Sequence, residues 1–204
     1  MGEEETSMYD YRKMTPEQRR AVLEERRKRG FPLHAPPHFK GVSGWYLITA
    51  TCYEHRPIFE QVEDLSLLTN ETLSALHKAG FEWGAWVFLP NHYHLLLKVS
   101  DMKVISEFLR RHHSLIATRI NIRHNQKGRK VWYRFSDRFI RSERHYWATV
   151  NYIHYNPVKH GYVDDPVDWC WSSIHVYLAT FNSKWLKQLL NEYPIRDYGK
   201  GWDW

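Results

Sequence analysis

Two stretches of the 204-residue chain carry side chains whose types and spacing can do chemistry. The first is Leu89-Pro90-Asn91-His92-Tyr93-His94-Leu95-Leu96-Leu97-Lys98-Val99, which reads as a turn and then an apolar strand. Residues i and i+2 of a strand project to one face. His92 and His94 therefore stand together, while Tyr93, Leu95, Leu97 and Val99 line the other face. Two imidazoles on one face can supply two ligands to a divalent ion. The second stretch is Asn151-Tyr152-Ile153-His154-Tyr155-Asn156-Pro157-Val158-Lys159-His160-Gly161-Tyr162-Val163. On a helix Tyr152 and Asn156 are i, i+4 neighbours, so a phenol and a carboxamide face one small volume.

Each stretch has a plain structural alternative. With 13 His in the chain, about one His-x-His triplet arises by chance. Strand histidines are commonly satisfied by carbonyls or solvent. Tyr152 can pack at a helix edge, and Asn156 can act as a C-cap. Spacing alone leaves these readings open.

The elements that must position these groups follow from pattern. Residues 1–40 read as an appendage. Thr15 is the N-cap, Pro16 takes the first helical position and Gln18 closes a capping box. A charged helix runs from there to Arg29 and stops at Gly30, and a proline-rich arm follows. Trp45–Tyr53 is a first strand, Leu65–Ala79 an amphipathic helix, and Phe81–Leu89 a second strand that turns at Pro90-Asn91 into the histidine strand. Asp101 caps a long helix to about Arg123, with Val104, Ile105, Phe108, Leu109, Leu115, Ile116 and Ile120 as its apolar stripe. Val131–Arg141 is a fourth strand. Ser142 caps a helix from Glu143, which Pro157 is expected to end near Asn156. The succession β-α-β-β-α-β-α predicts an α+β, ferredoxin-like (split βαβ) fold, an antiparallel sheet with helices on one face. The expected division is 1–40, a domain at 41–165, and a Trp-rich extension at 166–204.

Composition narrows the partners. Lys and Arg number 29 against 23 Asp and Glu, a net charge of +6. Between Lys98 and Trp147 there are 13 Lys/Arg and 4 Asp/Glu, a local +9, leaving −3 for the remainder. A basic block interleaved with aromatic residues suits a polyanion with bases to stack on, although a solvated basic face gives the same composition. Cys52 and Cys170 cannot build a disulfide framework or a four-thiolate zinc site. No apolar run reaches membrane-spanning length, and the acidic N-terminus is unlike a signal peptide. Met1-Gly2-Glu3-Glu4-Glu5-Thr6 matches a myristoylation pattern, but its glutamates would repel an anionic membrane. The expected location is cytoplasmic, associated with the nucleoid.

The two stretches together carry a resemblance. Leu89-Pro90-Asn91-His92-Tyr93-His94, followed by Tyr152-Ile153-His154-Tyr155-Asn156-Pro157-Val158-Lys159-His160-Gly161, resembles the single-tyrosine HUH transposases, and within them the REP-associated tyrosine transposases. The likeness runs from about Trp45 to Ser173. It implies that His92 and His94 are metal ligands, that Tyr152 is the nucleophile and that Asn156 sits at the third ligand position. The implied metal is Mg²⁺ or Mn²⁺; two imidazoles and an amide do not by themselves exclude zinc. The implied substrate is single-stranded DNA folded into REP-like palindromic hairpins. Such DNA would be cleaved through a 5′-phosphotyrosine and rejoined without ATP, by a monomer or a homodimer. Arg110, Arg111, Arg119, Arg123, Lys127, Arg129 and Lys130 are the expected backbone contacts, with Trp132, Tyr133 and Phe135 as stacking surfaces. The alternative is a non-catalytic, hairpin-binding regulator derived from a transposase. A hydrolase unrelated to DNA would leave the +9 block unexplained.

Overall fold

Four strands form an antiparallel sheet: β1 (Gly44–Thr51), β2 (Glu82–Phe88), β3 (His92–Val99) and β4 (Ser136–Phe139), in the order β2-β3-β1-β4. The computed structural model describes residues 14–28, 43–196, 198 and 199. Five α-helices accompany the sheet among these residues: α1 (Pro16–Lys28), α2 (Val62–Lys78), α3 (Met102–Arg123), α4 (Glu143–Lys159) and α5 (Ile174–Glu192). The class is α+β, and β1-α2-β2-β3-α3-β4-α4 is the expected succession. The chain divides into two units, Met1–His38 with Gly199–Trp204, and Phe39–Tyr198. The proline-rich arm and the last residues of the tail lie outside the described residues.

In the first unit α1 begins on its expected capping box. The Thr15 N–H donates to Gln18 Oε1 (2.8 Å), and the Gln18 N–H to Thr15 Oγ1 (3.2 Å). The caps of the second unit are also as expected. Asp101 accepts from the Lys103 N–H at 2.8 Å, and Ser142 from the His145 N–H at 3.1 Å.

Strand β3 is buried along almost its whole length. Full burial of Leu95, Leu96 and Leu97 stabilises the fold by about 1.5–3 kcal/mol each. A strand apolar on both faces needs cover on both, and here the expected placement of helices on one face is corrected. On one side the Tyr93 hydroxyl meets His113 Nε2 of α3 at 2.6 Å, with α2 alongside through Thr72 and His112 (2.8 Å). On the other side Tyr152 of α4 reaches His94. Gly84 in β2 allows that approach, because a Cβ there would stand 2.6 Å from the Tyr146 hydroxyl of α4.

Three further expectations change. Strand β4 is four residues long rather than the eleven of Val131–Arg141. Before it, the chain meets the end of β1 through the isolated Cys52–Trp132 bridge, the Tyr133 N–H to Thr51 O bond (2.9 Å) and the Tyr53 N–H to Val131 O bond (2.7 Å). Helix α4 continues through Pro157 to Lys159 instead of ending near Asn156. Proline removes one helical donor, but the turn beyond it closes regardless. His160 N–H bonds Asn156 O at 3.1 Å, and Gly161, at φ +71°, then ends the helix. Finally, the boundary expected at residue 165 falls inside one continuous body. Residues 171–173 run beside β2, with Phe88 N–H donating to Trp171 O and Ser173 N–H to Trp86 O, each at 2.9 Å.

Candidate active site

The pleat of β3 sends His92 and His94 to the α4 face, as their spacing requires. Both are buried, and so are Tyr152 and Asn156. His92 Nε2 lies 3.1 Å from Asn156 Oδ1, and His94 Nε2 lies 3.3 Å from the Tyr152 hydroxyl. The strand and the helix thus meet as two pairs, imidazole with amide and imidazole with phenol. The other ring nitrogens are held from behind. His92 Nδ1 sits 2.7 Å from Asn91 Oδ1, and His94 Nδ1 sits 2.8 Å from Thr49 Oγ1. Thr49 is opposite His94 in the β1–β3 register, which is why a residue 45 positions away serves it. Such outer partners fix ring orientation and leave the facing nitrogens directed inward.

Helix periodicity separates Tyr152 from Tyr155. Tyr152 is fully buried against His94, whereas Tyr155 is partly exposed. The Tyr155 phenol is raised by burial first and by Asp165 second. His154 points to the other side of α4, toward α5. Its Nε2 is 2.9 Å from Ser173 Oγ, and burial lowers its pKa to about 3.

Several groups around the site had no advance signal. Lys159 places its ammonium 5.1 Å from the centre of the Tyr152 ring. The His160 ring stands 5.0 Å from the His92 ring. Tyr198 covers the Tyr152 ring edge-on at 5.5 Å, and its hydroxyl is 2.8 Å from His145 Nε2. Lys159 and His160 follow Tyr152 by seven and eight residues, a spacing that marks one helix face once the helix is known to pass Pro157.

The residues expected to contact DNA lie apart from this cluster or beside it, and one of them is buried. Trp132 is corrected: it is 9% exposed, stacked between Phe59 (5.3 Å) and His113 (4.4 Å), and offers no face to a base. Arg110 and Arg111 pair with Glu107, and Arg119 with Glu71. Arg123 donates to Asp64 (2.8 Å), while Arg129 bonds Asn121 Oδ1 (2.9 Å) and reaches His124 (3.0 Å), anchoring the loop after α3. Lys127 is exposed on that loop. Lys130 lies over the Tyr53 ring (4.3 Å) and near Tyr133 (5.6 Å), and Phe135 is half-buried. Helix α3 covers the sheet face opposite Tyr152. A concavity of about 920 Å³ lies on that side too, beside α2 and α3 around Phe81, Val104 and Phe108.

Comparison with known proteins adds to this geometry. A REP-associated tyrosine transposase of Escherichia coli (strain K12) is 33% identical over 96 residues, covering 47% of this chain and 55% of the relative. A putative REP-associated tyrosine transposase of Haemophilus influenzae is 33% identical over 106 residues, covering 47% and 60%. A solved structure of a REP-associated tyrosine transposase bound to a REP hairpin superposes with a TM-score of 0.54. It is 26% identical and covers 70% of this chain and 82% of that one. The chain resembles the REP-associated tyrosine transposases in sequence and in fold. It spans a little over half the length of the two curated relatives. No family model matches the chain. None of its described helices is long and apolar enough to cross a membrane.

Proposed function

We propose that the protein is a metal-dependent DNA strand transferase that cleaves single-stranded DNA at REP-like hairpins through a 5′-phosphotyrosine on Tyr152, and can rejoin the strands. The observation that carries this reading is the meeting of a buried phenol and a carboxamide from α4 with two imidazoles from β3, at 3.3 and 3.1 Å.

The donor set fits a small divalent cation. Adjacent ligands of an octahedral ion with bonds of ~2.1 Å lie ~3.0 Å apart, close to the 3.1 Å between His92 Nε2 and Asn156 Oδ1. Asn156 Nδ2 is buried without a hydrogen-bond partner, while its Oδ1 faces His92 Nε2. His92, His94 and Asn156 would hold Mg²⁺ or Mn²⁺, leaving positions for phosphate oxygens; no cluster of three His, Cys, Asp or Glu occurs among the described residues. A divalent ion bound there would neutralise charge on the scissile phosphate and orient it for in-line attack.

The chain's own role is nucleophilic. Tyr152 is anchored in the core by its helix and by His94, so its oxygen is presented in one place. Its Oη forms a bond to phosphorus as the bond from phosphorus to the 3′ oxygen breaks. The phenol gives its proton to water, and the leaving oxygen takes one from water to become a 3′-hydroxyl. The phosphodiester energy stays in the phosphotyrosine, so the 3′-hydroxyl can reverse the step without ATP.

With Mn²⁺ and a single-stranded hairpin from the inverted repeats beside its gene, the protein should form a denaturant-stable adduct. Tyr155→Phe should retain it. Tyr152→Phe should bind the hairpin and form none. An adduct from Tyr152→Phe would move the nucleophile elsewhere. Hairpin binding without any adduct would leave a regulator.

A further inference from the structure

We propose that Lys159 is a catalytic residue that receives the scissile phosphate over Tyr152; this rests on the strand-transfer reading above. Lys159 is about 20° from Tyr152 around the helix axis and two turns further along it. Helical side chains lean toward the N-terminus, which carries its stem back along α4. Its ammonium arrives 5.1 Å from the centre of the nucleophile's ring. Tyr152 and Asn156 are buried and Lys159 is exposed, so the cation stands at the solvent side of the cluster.

Chemistry needs a charge there. His92, His94 and Asn156 carry no permanent positive charge. The site also lies along the last two turns of α4, whose carbonyl end disfavours an anion. A phosphodiester brought to the Tyr152 hydroxyl meets that end first, and Lys159 offsets it. In the transition state the equatorial oxygens carry the developing charge, and a lysine aimed at them acts on that charge where it forms. Helix continuation past Pro157 is what makes this possible. A helix ending at Asn156 would leave Lys159 with no fixed place.

The alternative is that Lys159 only packs on the ring by a cation–π contact. Charge and packing can be separated by Lys159→Gln, which keeps most of the stem, and Lys159→Arg, which keeps the charge. The cleavage position is first mapped from the wild-type adduct. Affinity is then measured across a salt series in the Tyr152→Phe background, on a hairpin with its natural phosphate and on one with a neutral methylphosphonate at that position. Lys159→Gln should lower the slope of log K against log salt by about 0.7 on the natural strand, and leave it unchanged on the methylphosphonate strand. With Tyr152 present, Lys159→Gln should slow adduct formation at least tenfold and Lys159→Arg should restore most of the rate. An equal loss of affinity on both strands, or an unaltered slope with an unaltered adduct rate, overturns the assignment. If the wild type forms no adduct, the strand-transfer reading fails and this inference with it.

Discussion

Thr49 shows how far the site's control extends beyond the four residues that meet. Its hydroxyl is 2.8 Å from His94 Nδ1 and fixes which way the other nitrogen points. Thr49→Val keeps the β-branched shape and removes that partner. Loss of an outer partner of a metal ligand commonly costs ~10-fold or more in affinity, so calorimetry with Mn²⁺ should show a drop of that order in a folded protein. His94→Ala should weaken binding at least as much. Unchanged Mn²⁺ affinity in both variants would remove the metal site. His92, His94, Tyr152 and Asn156 were legible because each pair obeys a local period, two on a strand and four on a helix. Thr49 was not, since its role comes from cross-strand register with a partner 45 positions away. Lys159 was hidden by the assumption that Pro157 ends the helix.

Elements were legible where the pattern was periodic and less so where tertiary contacts decide. The succession of strands and helices and the caps at Thr15, Asp101 and Ser142 came from local chemistry. The length of β4 did not: residues 131–135 are β-rich in composition, yet Val131 and Trp132 are drawn into the core. Nor did the covering of the β2 edge by residues 171–173, a pairing that an exposed edge needs but no local motif announces. Ser173 is the pivot of that pairing. Its hydroxyl accepts from the Trp86 N–H at 2.8 Å and lies 2.9 Å from His154 Nε2. Ser173→Ala leaves the buried His154 ring and the half-buried Trp86 N–H without that partner, which should destabilise the protein by about 1–3 kcal/mol. Chemical denaturation would test this, and a change within error would show that residues 171–173 merely rest on the sheet. Because α4 carries both His154 and Tyr152, the same variant should also reduce adduct formation.

At the scale of the whole molecule the sheet separates two kinds of histidine chemistry. The α4 face holds the site. It also holds some of the basic block, since Arg138 lies opposite Leu47 on that face of β4. The arginines of α3 occupy the far side and pair with acids of their own protein, which composition could not reveal. That far side buries His112 and His113, and burial lowers them to about 4 and about 3. Both folded values lie below the ~6.5 of an unfolded chain. The unfolded state therefore binds more protons between those limits, and stability rises with pH through that window before levelling above about 6.5. Lowering the pH from 7 to 5 should cost about 1–2 kcal/mol for each histidine. His112→Leu separates this from general acid sensitivity. The Thr72 hydroxyl that meets His112 also donates to Leu68 O at 2.7 Å, so the variant strands no donor. Urea unfolding at pH 5 and pH 7 should then show a difference smaller by about 1–2 kcal/mol in His112→Leu than in the wild type. An undiminished difference would place the acid sensitivity elsewhere, with His113 and its Tyr93 partner the next to substitute.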